Sequence, residues 1–82
     1  MDRANIETIQ QASDWLLGAE PGDQVLYHIG LLPRDRIFER RLDGLASWMM
    51  DMASTDKSLI LLTQARLDNR VYAYVATRSS LQ

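Results

Sequence analysis

The sequence predicts a small α+β domain with the element order α-β-α-β-β. Apolar residues recur at helical spacing in two segments, before residue 18 and between residues 34 and 54, which is typical of helices with one buried face. Residues 58–67 and 70–78 instead form two runs rich in branched and aromatic residues. The intervening Asp68-Asn69 is turn chemistry, so these two runs predict a β-hairpin.

The first helix is expected to begin at Asn5, because a short amide side chain can accept a hydrogen bond from the first helical turn. Gly18 and the following Pro21-Gly22 turn predict that this helix stops near residue 17. The expected apolar face consists of Ile6, Ile9, Ala12 or Ser13, and Leu16. Both predicted helices should cover the same face of a small sheet, since one core must serve the whole domain.

The middle of the chain predicts a strand followed by helical structure. Residues 24–32 form an apolar run that Pro33 should end. Residues 34–54 are expected to be helical, with an inward seam of Phe38, Leu42, Leu45, Met49 and Met52. Asp43-Gly44 could split this segment into a helix-turn-helix, although Arg40 stands where such a turn needs a small residue. One long helix and two shorter ones therefore both remain open.

The register of the predicted hairpin decides which of its side chains reach the core. A three-residue loop over residues 68–70 gives one face with the pairs Leu67–Val71, Ala65–Ala73 and Thr63–Val75. The other face then has Arg66 opposite Tyr72 and Gln64 opposite Tyr74. Because register follows the face that must be buried, we expect the first face to be covered and the second to be exposed.

Composition bounds the class of protein. The chain has 82 residues, so we expect a single domain over residues 1–82, with residues 79–82 as a loose tail. The absence of cysteine excludes disulfides and thiolate metal sites. The N-terminal segment lacks the pattern of a signal peptide, and no apolar run approaches the ~20 residues that a membrane span needs. We therefore expect a cytoplasmic protein without a membrane partner.

Catalytic and metal-binding signatures are missing from the sequence. His28 is the only histidine, and a hydrogen-bonded structural imidazole is expected because no second histidine or cysteine can join it as a ligand. Ser13, Asp14 and His28 are the residue types of a nucleophilic triad, but nothing predicts an oxyanion hole beside them. The four glycines are too scattered for a phosphate loop. We expect no enzyme activity, no cofactor and no metal.

The net charge of −2 opposes nonspecific nucleic-acid binding, but arginines gather at the start of the second helix and on the hairpin. Arginine can neutralise phosphates, and glutamine can contact a base edge. The candidate nucleic-acid-binding residues are Arg34, Arg36, Arg40, Arg41, Gln64, Arg66, Arg70, Tyr72 and Tyr74. The alternative interpretation is structural: Asp35 and Glu39 would pair with the helical arginines, and arginine–tyrosine packing would cover a solvated sheet face.

Several short motifs support a family resemblance over residues 23–78. They are Tyr27-His28-x-Gly30, Asp35-Arg36, Leu45-Ala46, Gln64-x-Arg66 and Tyr72-x-Tyr74-x-Ala76-x-Arg78. In these motifs the chain resembles a group of small phage and prophage proteins of winged-helix-like topology that have no settled function. The resemblance implies an accessory role in a mobile element.

Two functions follow from the arginines and the resemblance together. The first is a homodimeric, DNA-associated transcriptional regulator that contacts double-stranded DNA through its hairpin and second-helix arginines. The alternative is an inhibitor or adaptor that binds a host protein.

Overall fold

The computed structural model describes residues 4–54 and 59–79. Within these residues the elements are β1 (Ala4–Asn5), α1 (Ile9–Gly18), β2 (Gln24–Gly30), α2 (Leu32–Phe38), α3 (Arg40–Met52), β3 (Ile60–Asp68) and β4 (Val71–Arg78). The strands form one mixed sheet in the order β1-β2-β4-β3, in which β1 runs parallel to β2 and the other pairs are antiparallel. The predicted α+β class is confirmed. The protein has one strand and one helix more than predicted. The predicted winged-helix-like topology is not confirmed.

Helix α1 begins later than predicted because Thr8, not Asn5, is its N-cap. The Thr8 hydroxyl accepts the Gln11 backbone N–H at 3.1 Å, and the Gln11 side chain accepts the Thr8 N–H at 3.2 Å. This reciprocal capping box satisfies two donors of the first turn. Asn5 instead belongs to β1, a strand that the sequence could not reveal because two residues carry no alternation. The predicted apolar face is only partly correct, since Ala12 is buried whereas Ile9 is 43% exposed.

The predicted helix over residues 34–54 is two helices, α2 and α3. Helix α2 begins at Leu32, and Pro33 lies in its first turn, where a missing N–H leaves no helical bond unmade. Glu39 has extended backbone angles, φ −123° and ψ 110°, and separates the two helices. Gly44 lies inside α3, so the break predicted as one alternative at Asp43-Gly44 does not occur there.

The inward seam is confirmed for α3 and wrong for α2. Leu42, Leu45 and Met49 are almost fully buried. Phe38, which was expected to begin the seam, is 79% exposed. The extended backbone at Glu39 interrupts the helical periodicity, so a side chain four residues before Leu42 no longer lies on the same face.

The predicted hairpin register is confirmed over most of its length. Ala65 pairs with Ala73, Thr63 with Val75, Arg66 with Tyr72 and Gln64 with Tyr74. Near the turn the register shifts, so that Asp68 rather than Leu67 pairs with Val71 and the loop contains only Asn69 and Arg70. Arg70 adopts a positive φ of 60°, which such a short turn requires.

The prediction of which hairpin face is covered is wrong. The helices pack on the face that carries Tyr74, Ala76 and Ile60, together with Val25 and Tyr27 from β2. Tyr74, Ile60 and Tyr27 bury more apolar area against the helices than Ala65 and Ala73 of the opposite face could. The remaining members of this core cluster are Ile6, Ala12, Leu32, Leu42, Leu45, Ala46 and Met49.

Candidate functional site

The face of the sheet opposite the helices is formed by three cross-strand rows, and we call it the open face. Residues that pair across strands share a face of the sheet. The rows are Gln24–Thr77–Leu61, Leu26–Val75–Thr63 and Ile29–Ala73–Ala65. Ala73 and Val75 are buried between neighbouring strands but do not belong to the core cluster beneath the helices.

The open face is apolar and carries no charged side chain in its nine positions. Ile29 is 53% exposed and Leu61 is 59% exposed. Its polar members at one end are paired with each other, because the Gln24 amide donates to the Thr77 hydroxyl at 3.2 Å. These two side chains stand at opposite corners of the face, and exposed apolar surface on an uncharged sheet face makes it a candidate interaction site.

Three of the four candidate arginines in α2 and α3 are engaged within the molecule. Arg34 lies 2.9 Å from the Asp35 carboxylate, and Arg41 lies 3.2 Å from that of Glu39 and also donates to the Glu7 carbonyl. The predicted acidic partners Asp35 and Glu39 are therefore confirmed. Arg36 donates to Asp43 at 2.7 Å and to the Ser47 hydroxyl at 3.0 Å. Arg40 is exposed and makes no ion pair within residues 4–54 and 59–79.

The candidate hairpin residues are divided between solvent and core. Gln64, Arg66 and Arg70 are exposed, and neither arginine forms an ion pair with any described residue. Tyr72 is half-buried and Tyr74 is only 6% exposed. Gln64 and Arg66 share their face, but the helices cover the tyrosines of β4 and leave these two residues of the edge strand β3 exposed. The Tyr74 hydroxyl accepts the Leu32 N–H at 3.1 Å, so this ring is a structural link between β4 and α2.

His28 is hydrogen-bonded, as predicted. Its Nε2 lies 2.8 Å from Asp35 Oδ2, which also accepts the Leu31 N–H at 3.0 Å. The hydrogen bond from His28, followed by that from Arg34, lowers the pKa of Asp35 from 3.8 to about 2. Across the described segments, no cluster of three or more histidine, aspartate or glutamate side chains is arranged to hold a metal ion.

Sequence reasoning missed the open face because it assigned that face to the core. A usable signal was present in β3, where Ile60 and Leu62 have the same strand parity as Tyr74 and Ala76 in β4. Both tyrosines of the hairpin, its largest apolar side chains, also lie on that parity. Weighing side-chain size, rather than separating polar from apolar residues, would have identified the covered face.

Comparison with protein-family models, with curated proteins and with solved structures found no match for this chain. The resemblance to phage and prophage proteins therefore stays a prediction. In the part of the chain that the structure describes, no helix is long and apolar enough to cross a membrane.

Proposed function

We propose that this protein is a non-catalytic protein-binding adaptor or inhibitor that binds, through its open face, an uncharged apolar surface of another protein. The observation that supports this is the set of three uncharged cross-strand rows, in which Ile29 and Leu61 are each more than half exposed. Covering apolar surface contributes roughly 25 cal/mol per Å² removed from water, so a partner that covers these side chains is favoured.

The chemistry of the open face restricts the partner. A charged partner group placed against it would lose its hydration without gaining a counter-charge, which is unfavourable. Duplex DNA is disfavoured at this face for the same reason, since none of its nine positions is a cation. The complementary surface is therefore one of aliphatic and small side chains, such as the apolar face of a second sheet stacked at about 10 Å.

The size of the open face predicts a transient complex. Three strands about 4.8 Å apart and five residues of about 3.3 Å each give a flat footprint on the order of 200 Å². Stable specific interfaces bury about 800 Å² per partner. A partner must therefore extend onto the rim of the sheet, or bind weakly and dissociate quickly.

Site-specific photo-crosslinking in cells that express this protein tests the proposed function. A photoreactive residue at Leu61 should crosslink one protein, whereas the same residue at the exposed Arg40 of α3 should not. With that partner purified, Leu61→Lys should weaken binding about tenfold or more. Leu17→Lys, the same change at an 86% exposed position of α1, should leave binding unchanged.

Equal crosslinking at both positions, or no crosslinked protein, would overturn the proposal. A product that contains only two copies of this chain would also overturn the adaptor assignment. It would identify the open face as the contact of the homodimer that the sequence analysis predicts.

A DNA-associated regulator is the second candidate, favoured by one observation. Arg66 and Arg70 are exposed at the hairpin end and form no ion pair with any described residue. Arg34, whose side chain is 66% exposed, follows β2 at the same end of the sheet, because Gly30 pairs with Tyr72 and Tyr72 with Arg66. Under either candidate we place the protein in the cytoplasm of a cell that hosts a phage or prophage.

A further inference from the structure

A cavity of about 350 Å³ lies where α2 and α3 diverge from β3, on the helix-covered side of the sheet. Its volume equals that of about a dozen liquid waters, and it falls at the lower end of the range seen for small-molecule sites. The residues that define its chemistry are Tyr27, Arg36, Met50, Leu62, Gln64 and Tyr74. It lies on the other side of the sheet from the open face and shares with it only Thr63 of the edge strand β3.

Arg36 supplies a fixed positive charge in the wall of this cavity. Its Nε donates to Asp43 at 2.7 Å and its Nη2 donates to Ser47 at 3.0 Å, which hold the guanidinium plane in place. The remaining nitrogen, Nη1, donates to the Met50 sulfur at 3.9 Å, which is its one hydrogen bond to a described residue. A thioether is a weak acceptor, so Nη1 retains donor capacity for a stronger one.

Two tyrosines and a glutamine add further donors. The Tyr27 hydroxyl makes no hydrogen bond to any described residue, and burial, with a smaller effect of Tyr74, raises the pKa of Tyr27 to about 12. It therefore stays protonated at neutral pH and can donate. The Tyr74 hydroxyl accepts from Leu32, which leaves its own proton available. The Gln64 amide likewise has no hydrogen-bond partner within the described residues.

These groups favour a monoanionic acceptor. No described aspartate or glutamate lines the cavity, so an entering anion meets donors without a competing negative charge. Asp43 already offsets part of the Arg36 charge, which disfavours a dianionic phosphate relative to a single carboxylate. The rest of the wall is apolar, through Leu32, Pro33, Met50 and Leu62.

We propose that this cavity binds a small organic carboxylate with an apolar body of about one ring, the carboxylate at Arg36 and Tyr27 and the body against Met50 and Leu62. A ligand of about a dozen heavy atoms in so open a site should bind with a Kd on the order of 1 mM. This proposal does not depend on the adaptor function, since none of the four residues that contact the ligand lies on the open face and no protein partner is needed.

The probe for the test is 4-phenylbutyrate, titrated into uniformly ¹⁵N-labelled protein and followed by amide chemical shifts. Saturable shifts are expected at Leu62, Gln64 and the α2 amides. Two matched compounds measure the contributions of the carboxylate and of the ring to affinity. 4-Phenylbutyramide keeps the ring without the charge, and acetate keeps the charge without the ring. Each should bind about tenfold more weakly or worse, because each loses one of the two contacts.

Protein variants then assign the contacts. Tyr27→Phe, which removes a single hydroxyl, should weaken 4-phenylbutyrate binding several-fold, and Arg36→Gln should weaken it about tenfold or more. Arg34→Gln is the control, because Arg34 lies in the same helix but does not line the cavity.

Equal affinity for the acid and the amide, equal loss in Arg34→Gln, or no saturable shift at cavity residues would each overturn the proposal. If Arg36→Gln fails to fold, the affinity of Tyr27→Phe for 4-phenylbutyrate still tests the proposal.

Discussion

At the scale of single residues, Asp35 organises the point at which β2 turns into α2. Its carboxylate accepts from the Leu31 N–H and from Arg34 and is hydrogen-bonded to His28. Gly30 makes this possible, because its φ is +145° and an added Cβ would lie 2.5 Å from Asp35 Oδ2 and 3.0 Å from His28 Nε2. Any larger residue at position 30 would be strained and would displace the pair.

We predict that Asp35→Asn flattens the acid limb of the stability curve. The folded pKa of Asp35 is lowered from 3.8 to about 2, so its contribution is fully present above the unfolded value and is lost as pH falls from 3.8 through 2. The variant should be less stable than wild type at pH 5 to 7, and the difference should shrink towards pH 2.

Urea unfolding between pH 2 and 7 measures this effect. Asp51→Asn is the control, because the Asp51 carboxylate is exposed and forms no ion pair with any described residue. A curve for Asp35→Asn that runs parallel to wild type throughout would contradict the assignment.

The sequence predicted a hydrogen-bonded His28 but not its partner. His28 and Asp35 are seven residues apart, a separation that no single helix or strand brings into contact. They meet because the chain reverses at Gly30 with a positive φ. That backbone angle is decided by tertiary packing, which a pattern of residues does not report.

At the scale of elements, α2 and α3 show how an unbroken apolar pattern can hide a break. Phe38 and Leu42 are four residues apart, which is the spacing of one helical face. Glu39 between them is extended, so Phe38 faces solvent while Leu42 is buried. The existence of helical structure was predictable, but its interruption was not, because no proline or glycine marks position 39.

Leu45→Ala and Phe38→Ala should therefore differ sharply. Leu45 is fully buried, and its truncation should lower the free energy of unfolding by about 2–5 kcal/mol through lost transfer energy and a residual cavity. Phe38 is 79% exposed, so its loss should cost no more than about 0.5 kcal/mol, although the side chain is larger. Thermal or denaturant unfolding of the two variants compares them directly, and equal destabilisation would show that α2 packs differently.

In the hairpin, the pairing of the strands was predictable from the sequence, but the face that is buried was not. The pairing of Gln64 with Tyr74 and of Thr63 with Val75 was predicted correctly from the separation of polar and apolar residues, although the loop is one residue shorter than predicted and the register shifts near the turn. Which face is buried depends on where the helices lie, and both faces contain apolar residues. The candidate cluster is divided within one face, because the helices cover Tyr74 in the central strand β4 but not Arg66 in the edge strand β3.

At the scale of the whole molecule, a net charge of −2 opposes DNA binding, so the DNA-binding candidate requires local contacts between arginines and phosphates. If Arg66 and Arg70 contact phosphates, removing both should lower the slope of log K against log salt by about 1.8, or about 0.9 for each contact. Arg66→Ala is combined with Arg70→Asn, because asparagine tolerates the positive φ at position 70.

Fluorescence anisotropy with a labelled duplex at several salt concentrations measures this slope. Arg41→Ala is the control, because Arg41 is already paired with Glu39. No duplex binding by wild type at low salt would eliminate the DNA candidate.

The position of β4 has a consequence for biosynthesis. It is made after the other three described strands, yet it lies between β2 and β3, which do not pair with each other. In a growing chain that has not reached residue 71, β2 and β3 therefore have no strand between them to pair with. Until then, the branched run of β3 presents two free edges, the kind of surface on which chains associate wrongly. A chain that ends in the hairpin turn cannot form this sheet, whereas a chain that includes residues 71–78 has the strand that joins β2 to β3.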